Sequence, residues 1–145
     1  MKKSCALFMV LLLGVTSIAT AAEGWLTDFE AAKKQAAEKN LPILVDFSGS
    51  DWCGWCIRLE EEVLSQDAFK EYAKDNLVLF LADFPRNTPQ PEEVSEQNKG
   101  LAEKYEVRGF PTVLLLDAKG EVLAKTGYQQ GGPEAYVDHI KGLLK

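Results

Sequence analysis

The apolar residues of the chain occur in short continuous runs that alternate with segments in which they recur every three or four positions. Runs of about four to eight apolar residues are typical of buried strands, and the longer spacing is typical of helices with one buried face. In chain order, these patterns predict a helix over 27–39, a strand over 41–47, a helix that starts near residue 53 and continues over 67–74, a strand over 76–83, a helix over 95–105, strands over 113–116 and 121–126, and a helix from 132.

The order of these elements indicates the fold class. A strand, a helix and a second strand in succession favour parallel pairing, and the tight turn at 119–120 favours an antiparallel pair at one edge of the sheet. Ser65 is expected to cap the second part of the helix that starts near residue 53. The sequence therefore predicts an α/β protein with a central mixed β-sheet flanked by helices on both faces.

Residues 1–22 stand apart from this pattern. They begin with a basic segment, Met1-Lys2-Lys3, continue with an apolar stretch over 6–15, and end in small residues around Ala21 and Ala22. These features are typical of a secretory signal peptide that is cleaved after Ala21 or Ala22. A retained membrane anchor is the alternative, although the apolar stretch is short for a membrane-spanning helix. We expect one exported domain over 23–145, in the periplasm or outside the cell.

The charge of this predicted domain is strongly acidic. The whole chain has 16 basic and 22 acidic residues, a formal net charge of −6. Lys2 and Lys3 are the charged residues of the predicted signal peptide, so its removal leaves 14 basic against 22 acidic residues and a charge of −8. An acidic surface argues against nucleic acid and against anionic membranes as partners. The 46% hydrophobic and 26% charged composition is typical of a globular protein.

Two cysteines, Cys53 and Cys56, lie where the strand over 41–47 gives way to the next helix. The first turn of a helix has unpaired N–H groups and the positive end of the helix dipole, which both favour a thiolate over a thiol. Such a site can lower the pKa of a cysteine from about 8.5 to between about 3.5 and 7.5, and the thiolate is the form that attacks disulfides. Cys53 is the candidate nucleophile, and Cys56 is placed to resolve the mixed disulfide. The predicted chemistry is dithiol–disulfide exchange.

Other uses of a Cys-x-x-Cys pair have different requirements. A zinc site needs about four ligands, whereas the chain has one histidine and one further cysteine, Cys5, which lies in the predicted signal peptide. Haem attachment needs a histidine where Ile57 stands and is excluded. A structural disulfide stays open for an exported protein, although so small a loop gains little stability from loop entropy. No metal and no cofactor other than the cysteine pair itself is expected.

Three motifs in this order resemble the thioredoxin superfamily. They are Val45-Asp46-Phe47 in the first predicted strand, then Trp52-Cys53-Gly54-Trp55-Cys56, then Gly109-Phe110-Pro111-Thr112 before an apolar strand. More closely, the chain resembles exported bacterial thioredoxin-like proteins with a Ser-Asp-Trp-Cys-x-x-Cys segment, and the resemblance extends over about 27–144. It implies a thioredoxin-like fold and the activity of a thiol–disulfide oxidoreductase.

The resemblance also implies roles for individual residues. Cys53 would be the attacking and Cys56 the resolving cysteine, and Asp46 would be the buried acid that exchanges a proton with the resolving cysteine. Pro111 would be a cis-proline that faces the dithiol, with Phe110 presenting backbone groups to an extended substrate. The substrate-binding residues implied in this way are Trp52, Gly54, Trp55, Phe110 and Pro111.

The chain departs from the thioredoxin pattern in several places. One extra residue separates Asp46 from Cys53, and an apolar residue near Leu79 replaces the basic residue that accompanies the buried acid in thioredoxin. A Gly-Trp dipeptide stands between the cysteines in place of Gly-Pro, and 85–95 is an insertion. The exchange chemistry is unaffected by these changes, whereas the redox potential and the proton route depend on them.

The leading hypothesis is a thiol–disulfide oxidoreductase that acts on protein disulfides outside the cytoplasm through the Cys53/Cys56 dithiol. The closeness to thioredoxin favours a reductase, for which a separate electron donor, expected in the membrane, restores the dithiol. An oxidase or isomerase of folding proteins is the alternative within the same chemistry. A binding module is the alternative from another class, in which the disulfide is structural and the tryptophans form a docking surface.

Overall fold

Residues 23–145 are described by the structure, a computed structural model of the chain. The predicted signal peptide over 1–22, with its cleavage after Ala21 or Ala22, lies outside the described residues. Between residues 23 and 145, no helix is both long enough and apolar enough to cross a membrane.

The described residues form five strands and five α-helices, in the predicted order but with one additional strand at the start. The strands are β1 (Trp25–Leu26), β2 (Ile43–Ser48), β3 (Val78–Asp83), β4 (Thr112–Leu116) and β5 (Val122–Thr126). The helices are α1 (Phe29–Lys39), α2 (Gly54–Leu59), α3 (Asp67–Asn76), α4 (Glu92–Lys104) and α5 (Gly132–Leu143), with a π-helical segment, Glu60–Leu64, after α2. The predicted α/β class is confirmed.

The five strands form one mixed sheet in the order β1-β3-β2-β4-β5. β3 is parallel to both β1 and β2, and β4 and β5 form the predicted antiparallel pair at one edge. β4 is also antiparallel to β2, so the parallel pairing expected for a strand that follows a helix is wrong here. The reason is that β4 begins at the end of the sheet where β2 and β3 finish, since Phe47 pairs with Thr112 and Ser48 with Asp83.

β2 lies at the centre of the sheet, and helices cover both of its faces. Leu44 belongs to a core cluster with side chains of α2, α3 and α5, whereas Val45 and Phe47 belong to a second cluster with side chains of α1 and α4. Because side chains alternate between the two faces of a strand, Asp46 lies on the same face as Leu44. A carboxyl group is thus placed in the core on the side where α2 packs.

The ends of several helices follow from local chemistry. Asp28 is the N-cap of α1, since its Oδ1 accepts a hydrogen bond from the Ala31 N–H (3.0 Å). α4 begins at Glu92, earlier than the predicted start at residue 95, because its acidic first turn suits the positive end of a helix. The prediction that Ser65 caps α3 is wrong: its N–H bonds to the Glu60 carbonyl and closes the π-helical segment.

Candidate active site

Cys53 and Cys56 form a disulfide at the junction of β2 and α2, with their Cα atoms 5.2 Å apart. Cys53 is the N-cap of α2, and its Sγ accepts a hydrogen bond from the Cys56 N–H (3.3 Å). The Gly49 N–H donates to the Sγ of Cys56 (3.5 Å). Contacts of this kind favour the thiolate once the pair is reduced. Cys53 is 7% exposed and Cys56 3%, so the predicted nucleophile is the less covered of the two.

Trp52, which precedes Cys53, packs against neighbouring loops. Its Nε1–H donates to the Phe84 carbonyl (2.8 Å), and its ring meets the edge of Phe110 with the ring centroids 5.9 Å apart. The ring also lies against Gly49, where an added Cβ would come within 2.5 Å of it. Glycine at position 49 therefore allows the tryptophan to lie where it does.

The Phe110–Pro111 peptide bond is cis, as the resemblance implies, and directly precedes β4. Thr112 pairs with Phe47, so the segment 109–111, here called the cis-proline loop, lies at the end of the sheet where β2 leads into the segment 49–53, here called the cysteine loop. A Cβ added at Gly127 would lie 3.3 Å from the Pro111 carbonyl oxygen, so glycine permits a close approach behind this loop. The antiparallel direction of β4 is what brings the two motifs to one place.

Trp55 and Gly54, the two residues between the cysteines, are exposed. The side chain of Trp55 is 54% exposed and packs beside Tyr128, with ring centroids 5.3 Å apart. The Arg58 guanidinium lies over both rings, at 5.2 and 5.5 Å, and Glu62 accepts hydrogen bonds from Arg58 and Tyr128. Trp52 and Trp55 thus differ, since the first is held by the loops and the second leaves an aromatic surface open beside the disulfide.

Asp46 is buried, with 4% of its surface exposed, and its Oδ1 has no hydrogen-bond partner among the described residues. Burial, reinforced by the charges of Glu60 and Asp83, raises the pKa of this carboxyl to about 7. A cavity of about 310 Å³ is lined by Asp46, Cys56 and Glu60, among others. A carboxyl that can gain or lose a proton near neutral pH thus shares a cavity with the predicted resolving cysteine.

The apolar residue beside Asp46 is Leu81 and not Leu79, which corrects the position inferred from the thioredoxin resemblance. Asp46 pairs with Leu81 across the sheet, and Leu81 lines the same cavity, whereas Leu79 pairs with Leu44. The register sets this assignment, because the two strands align from Ile43 onward. An apolar neighbour in place of a basic one contributes to the desolvation that raises the pKa of Asp46.

Asp51, to which the sequence pattern assigns no role, holds the inserted loop that follows β3, here called the 84–91 loop. Its carboxylate accepts hydrogen bonds from three consecutive backbone N–H groups, those of Arg86 (2.9 Å), Asn87 (2.8 Å) and Thr88 (2.9 Å). These bonds, that from Arg86 most of all, lower the pKa of Asp51. The contact joins segments 35 residues apart, which no local spacing reveals. Its sequence signal is an acidic residue in the cysteine loop combined with an insertion.

Asp83 ends β3 and connects the same region to the core. Its carboxylate accepts hydrogen bonds from the Ser50 N–H (3.0 Å) and the Ser50 hydroxyl (2.6 Å). Its carbonyl oxygen accepts a bond from the side chain of Asn98 (3.0 Å), which is completely buried in α4. The cysteine loop is therefore fixed to a strand end and, through it, to a helix.

The reactive group of the site is the cysteine pair, which carries two electrons when reduced. In the part of the chain that the structure describes, no three His, Cys, Asp or Glu side chains are grouped as a metal ion requires. Exchange between dithiol and disulfide is what this arrangement can perform with its own side chains.

Known proteins are similar to this chain in sequence and in fold. Residues 29–141 match the family model described as a thioredoxin-like domain. The chain is 38% identical over 117 residues to the disulfide bond reductase DsbH of Chlamydia pneumoniae, covering 81% of this chain and 70% of the relative. It is 31% identical over 103 residues to the thioredoxin-related protein DsbJ of the same organism, covering 71% of this chain but 30% of that relative. A solved structure described as DsbH oxidoreductase matches with a TM-score of 0.80 and 36% identity, covering 94% of each chain.

These matches agree with the geometry. The family match spans β2, both cysteines and the cis-proline loop, which are the parts that the site is built from. The Cys53–Cys56 disulfide supplies the reactive group that the chemistry of an oxidoreductase of this kind needs. The chain therefore belongs to the thioredoxin-like family and is a thiol–disulfide oxidoreductase.

Proposed function

We propose that this oxidoreductase acts outside the cytoplasm as a reductase of protein disulfides. The observation that carries the proposal is the Cys53–Cys56 disulfide at the start of α2, which lies between an open aromatic surface and a cavity with a buried carboxyl. The name of the DsbH relative, a disulfide bond reductase, supports the direction. The signal-like sequence of residues 1–22 supports the location.

The reaction begins from the reduced protein. The Cys53 thiolate attacks one sulfur of a substrate disulfide, which forms a mixed disulfide and releases the other substrate sulfur as a thiolate that takes up a proton. The Cys56 thiolate then attacks the Sγ of Cys53, which restores the Cys53–Cys56 disulfide and releases the second substrate thiol. Two electrons pass to the substrate in each cycle, and one intramolecular disulfide is left on the protein.

Asp46 is the group proposed to take the proton from Cys56. The carboxyl and the cysteine line one cavity, and the raised pKa of about 7 gives Asp46 an appreciable neutral and an appreciable ionised fraction near neutral pH. An ionised Asp46 can accept the thiol proton when Cys56 must attack, and a neutral Asp46 can return it when the disulfide is reduced again.

The substrate is proposed to lie across the cis-proline loop and the aromatic side chains beside the cysteines. Phe110 contacts Trp52, so the loop before Pro111 and the residue before Cys53 form one continuous surface. Gly54 leaves open space next to the disulfide, and Trp55 adds an exposed ring. Large rings contribute apolar contact at low conformational cost, which suits the binding of varied polypeptide segments.

The electrons are proposed to come from a separate dithiol donor in the membrane. An oxidising compartment does not maintain a pool of reduced thiols that could serve, so reducing equivalents must be supplied across the membrane. The same exposed surface around Cys53 would receive the donor, since the donor must form a mixed disulfide with the same sulfur.

The decisive experiment traps the intermediate. Cys56→Ser keeps the nucleophile but removes the resolving thiol, so we expect it to accumulate a mixed disulfide with a protein substrate such as insulin. Cys53→Ser is the matched control and should form no such adduct. Wild type should reduce insulin when a dithiol regenerates it. A wild-type protein that exchanges with no disulfide would instead support the binding-module hypothesis.

The direction is tested by the reduction potential of the protein in glutathione buffers, followed through the tryptophan emission, to which Trp52 and Trp55 next to the cysteines contribute. A value of about −270 mV is expected for a reductase, whereas a value of about −120 mV would make the protein an oxidant of folding proteins. A pair that stays oxidised over the whole buffer range would identify a structural disulfide.

A further inference from the structure

Arg86 occupies an unusual position on the 84–91 loop. The central carbon of its guanidinium lies 3.6 Å from the centroid of the Trp52 ring, and Trp52 directly precedes the nucleophile Cys53. The side chain of Arg86 is exposed. A guanidinium stacked on a tryptophan keeps its N–H donors free at the edge of the ring, where they can meet a second molecule.

No acidic side chain of the described residues forms an ion pair with Arg86; the three ion pairs found between residues 23 and 145 involve other cations. Arg58, which lies over the ring of Trp55, is bound to Glu62 (2.8 Å). The arginines that lie over Trp52 and Trp55 therefore differ, since Arg58 is paired within the protein and Arg86 is available.

The position of Arg86 is built by the fold. The Asp51 carboxylate binds the Arg86 N–H and those of the next two residues, and the Trp52 Nε1–H binds the Phe84 carbonyl. Both ends of the contact between Arg86 and Trp52 are thus fixed to the cysteine loop by hydrogen bonds. An arginine held in this way loses less conformational entropy on binding than a free surface side chain.

The charge of Arg86 bears on the kind of partner that it fits. Residues 23–145 carry a formal charge of −8, so an available cation on the residue that precedes Cys53 contrasts with the net charge of the molecule. A guanidinium matches a carboxylate in charge and in geometry, with two parallel N–H···O bonds. The partner that fits is a polypeptide with an aspartate or glutamate close to its disulfide.

We propose that Arg86 positions substrates by pairing with an acidic side chain next to the disulfide that Cys53 attacks. The inference rests on the proposed reductase function and adds a substrate class to it: protein disulfides with acidic flanks are reduced faster than those with basic flanks. No further covalent step is involved, because the pairing acts before the thiolate attacks.

The test uses three disulfide peptides that are identical except for a Glu, Gln or Lys beside one cysteine. The purified protein is reduced beforehand, and the rate of each single turnover is measured. The same peptides are reduced by a small uncharged dithiol, which corrects for the effect of the flanking charge on the disulfide itself. We expect the corrected rate for the Glu peptide to exceed that for the Lys peptide by about two- to fivefold, the size of an exposed ion pair.

Charge reversal provides the sharp comparison. Arg86→Glu should invert the ratio of the Glu and Lys rates, and Arg86→Gln should bring this ratio close to one. Salt at about 0.5 M should lower the wild-type ratio toward one, because it screens the ion pair. Lys34→Glu makes the same charge change on an exposed face of α1 and is the matched control, for which the wild-type ratio should persist.

Three outcomes would overturn the inference. The first is a Glu/Lys ratio that does not change in Arg86→Glu; an equal slowing of all three peptides is such a case and would mean that Arg86 only supports Trp52. The second is an equal change of the ratio in Lys34→Glu, which would assign the effect to the general charge. The third is equal corrected rates for all three peptides in the wild type, which would leave the reductase function standing. If the wild type reduced none of the peptides, the proposed reductase function itself would fail.

Discussion

Asp46 is a carboxyl group that folding removes from water without supplying a donor to its Oδ1 among the described residues. Its charged form is therefore disfavoured in the folded state, and its pKa rises from the ordinary 3.8 to about 7. Between these two values the folded protein binds more protons at this site than the unfolded chain does. The contribution of Asp46 to stability is thus most favourable below pH 3.8 and decreases as the pH rises to 7.

Asp46→Asn removes this dependence, because the amide does not ionise. At each pH, the free energy of unfolding of wild type is subtracted from that of the variant. We expect this difference to be about 2 to 3 kcal/mol larger at pH 8 than at pH 5. Denaturant titrations of the oxidised proteins at both pH values measure the difference. Asp75→Asn, at an exposed position of α3, is the control and should show no such change. Equal pH dependence in wild type and Asp46→Asn would contradict the raised pKa.

Gly49 is a second residue whose environment makes a specific prediction. An added methyl group would lie 2.5 Å from the Trp52 ring, so Gly49→Ala must displace the tryptophan and weaken its bond to the Phe84 carbonyl. We expect a loss of about 1 to 3 kcal/mol of stability and an altered Trp52 emission. Gly100→Ala, in α4 with no atom near the new Cβ, should instead stabilise the protein by about 0.5 to 1 kcal/mol. Denaturant titration followed by fluorescence compares the two, and similar effects of both would refute the steric argument.

Among single residues, the sequence predicts those whose chemistry depends on local spacing. Cys53 and Cys56 follow from their separation and their place between strand and helix, and the structure joins them in a disulfide. Arg86 and Asp51 do not follow, because their contacts connect segments that are far apart in the chain. The availability of Arg86 depends on which carboxylates fold near it, and this is a property of the tertiary structure alone.

Among the elements, those with a clear hydrophobic period are predicted and the short or exceptional ones are not. β1 has two residues, too few for any period, and exists because its backbone pairs with β3. The direction of β4 is set by the connections around α4. The apolar run of β4 does not predict this direction, because it is compatible with parallel and with antiparallel pairing. This direction has the largest consequence for function, since it places the cis-proline loop beside the cysteines.

In the 84–91 loop, three consecutive N–H groups bond to one side chain, that of Asp51. Asp51→Ala removes the acceptor of three N–H groups, so we expect the amide hydrogens of residues 86–88 to exchange about two- to tenfold faster. Because the pKa of Asp51 is lowered, its protection in wild type persists above the ordinary pKa and is lost as the pH falls through the lowered value. Hydrogen exchange followed by mass spectrometry measures both effects.

Asp117→Ala is the control for this variant. The Asp117 carboxylate accepts hydrogen bonds from the N–H groups of Lys119 and Glu121, so its removal should speed exchange in the turn before β5 but not in the 84–91 loop. Unchanged exchange at residues 86–88 in Asp51→Ala would mean that the loop is held by other contacts, such as that of Trp52 with Phe84.

For the molecule as a whole, the mixed sheet with helices on both faces is predicted from the order of the elements and is confirmed. What the order does not predict is which side of the sheet carries the buried acid and how that acid relates to the disulfide. The core cluster on one face of β2 and the cavity with Cys56 lie on the same side, so the stability of the whole fold and the redox state of the pair are linked through Asp46.

This link predicts how reduction affects the whole molecule. A protein that donates electrons readily must be less stable when reduced than when oxidised. Above its pKa of about 7, the buried Asp46 in the same cavity is mostly ionised and disfavours the Cys56 thiolate. At pH 8 we expect the oxidised protein to exceed the reduced protein in unfolding free energy by at least about 1.4 kcal/mol, which corresponds to about 30 mV. Asp46→Asn should narrow the gap, because the charge that repels the thiolate is gone. Denaturant titrations with and without a reducing dithiol measure all four states, and a reduced form more stable than the oxidised one would make the protein an oxidant.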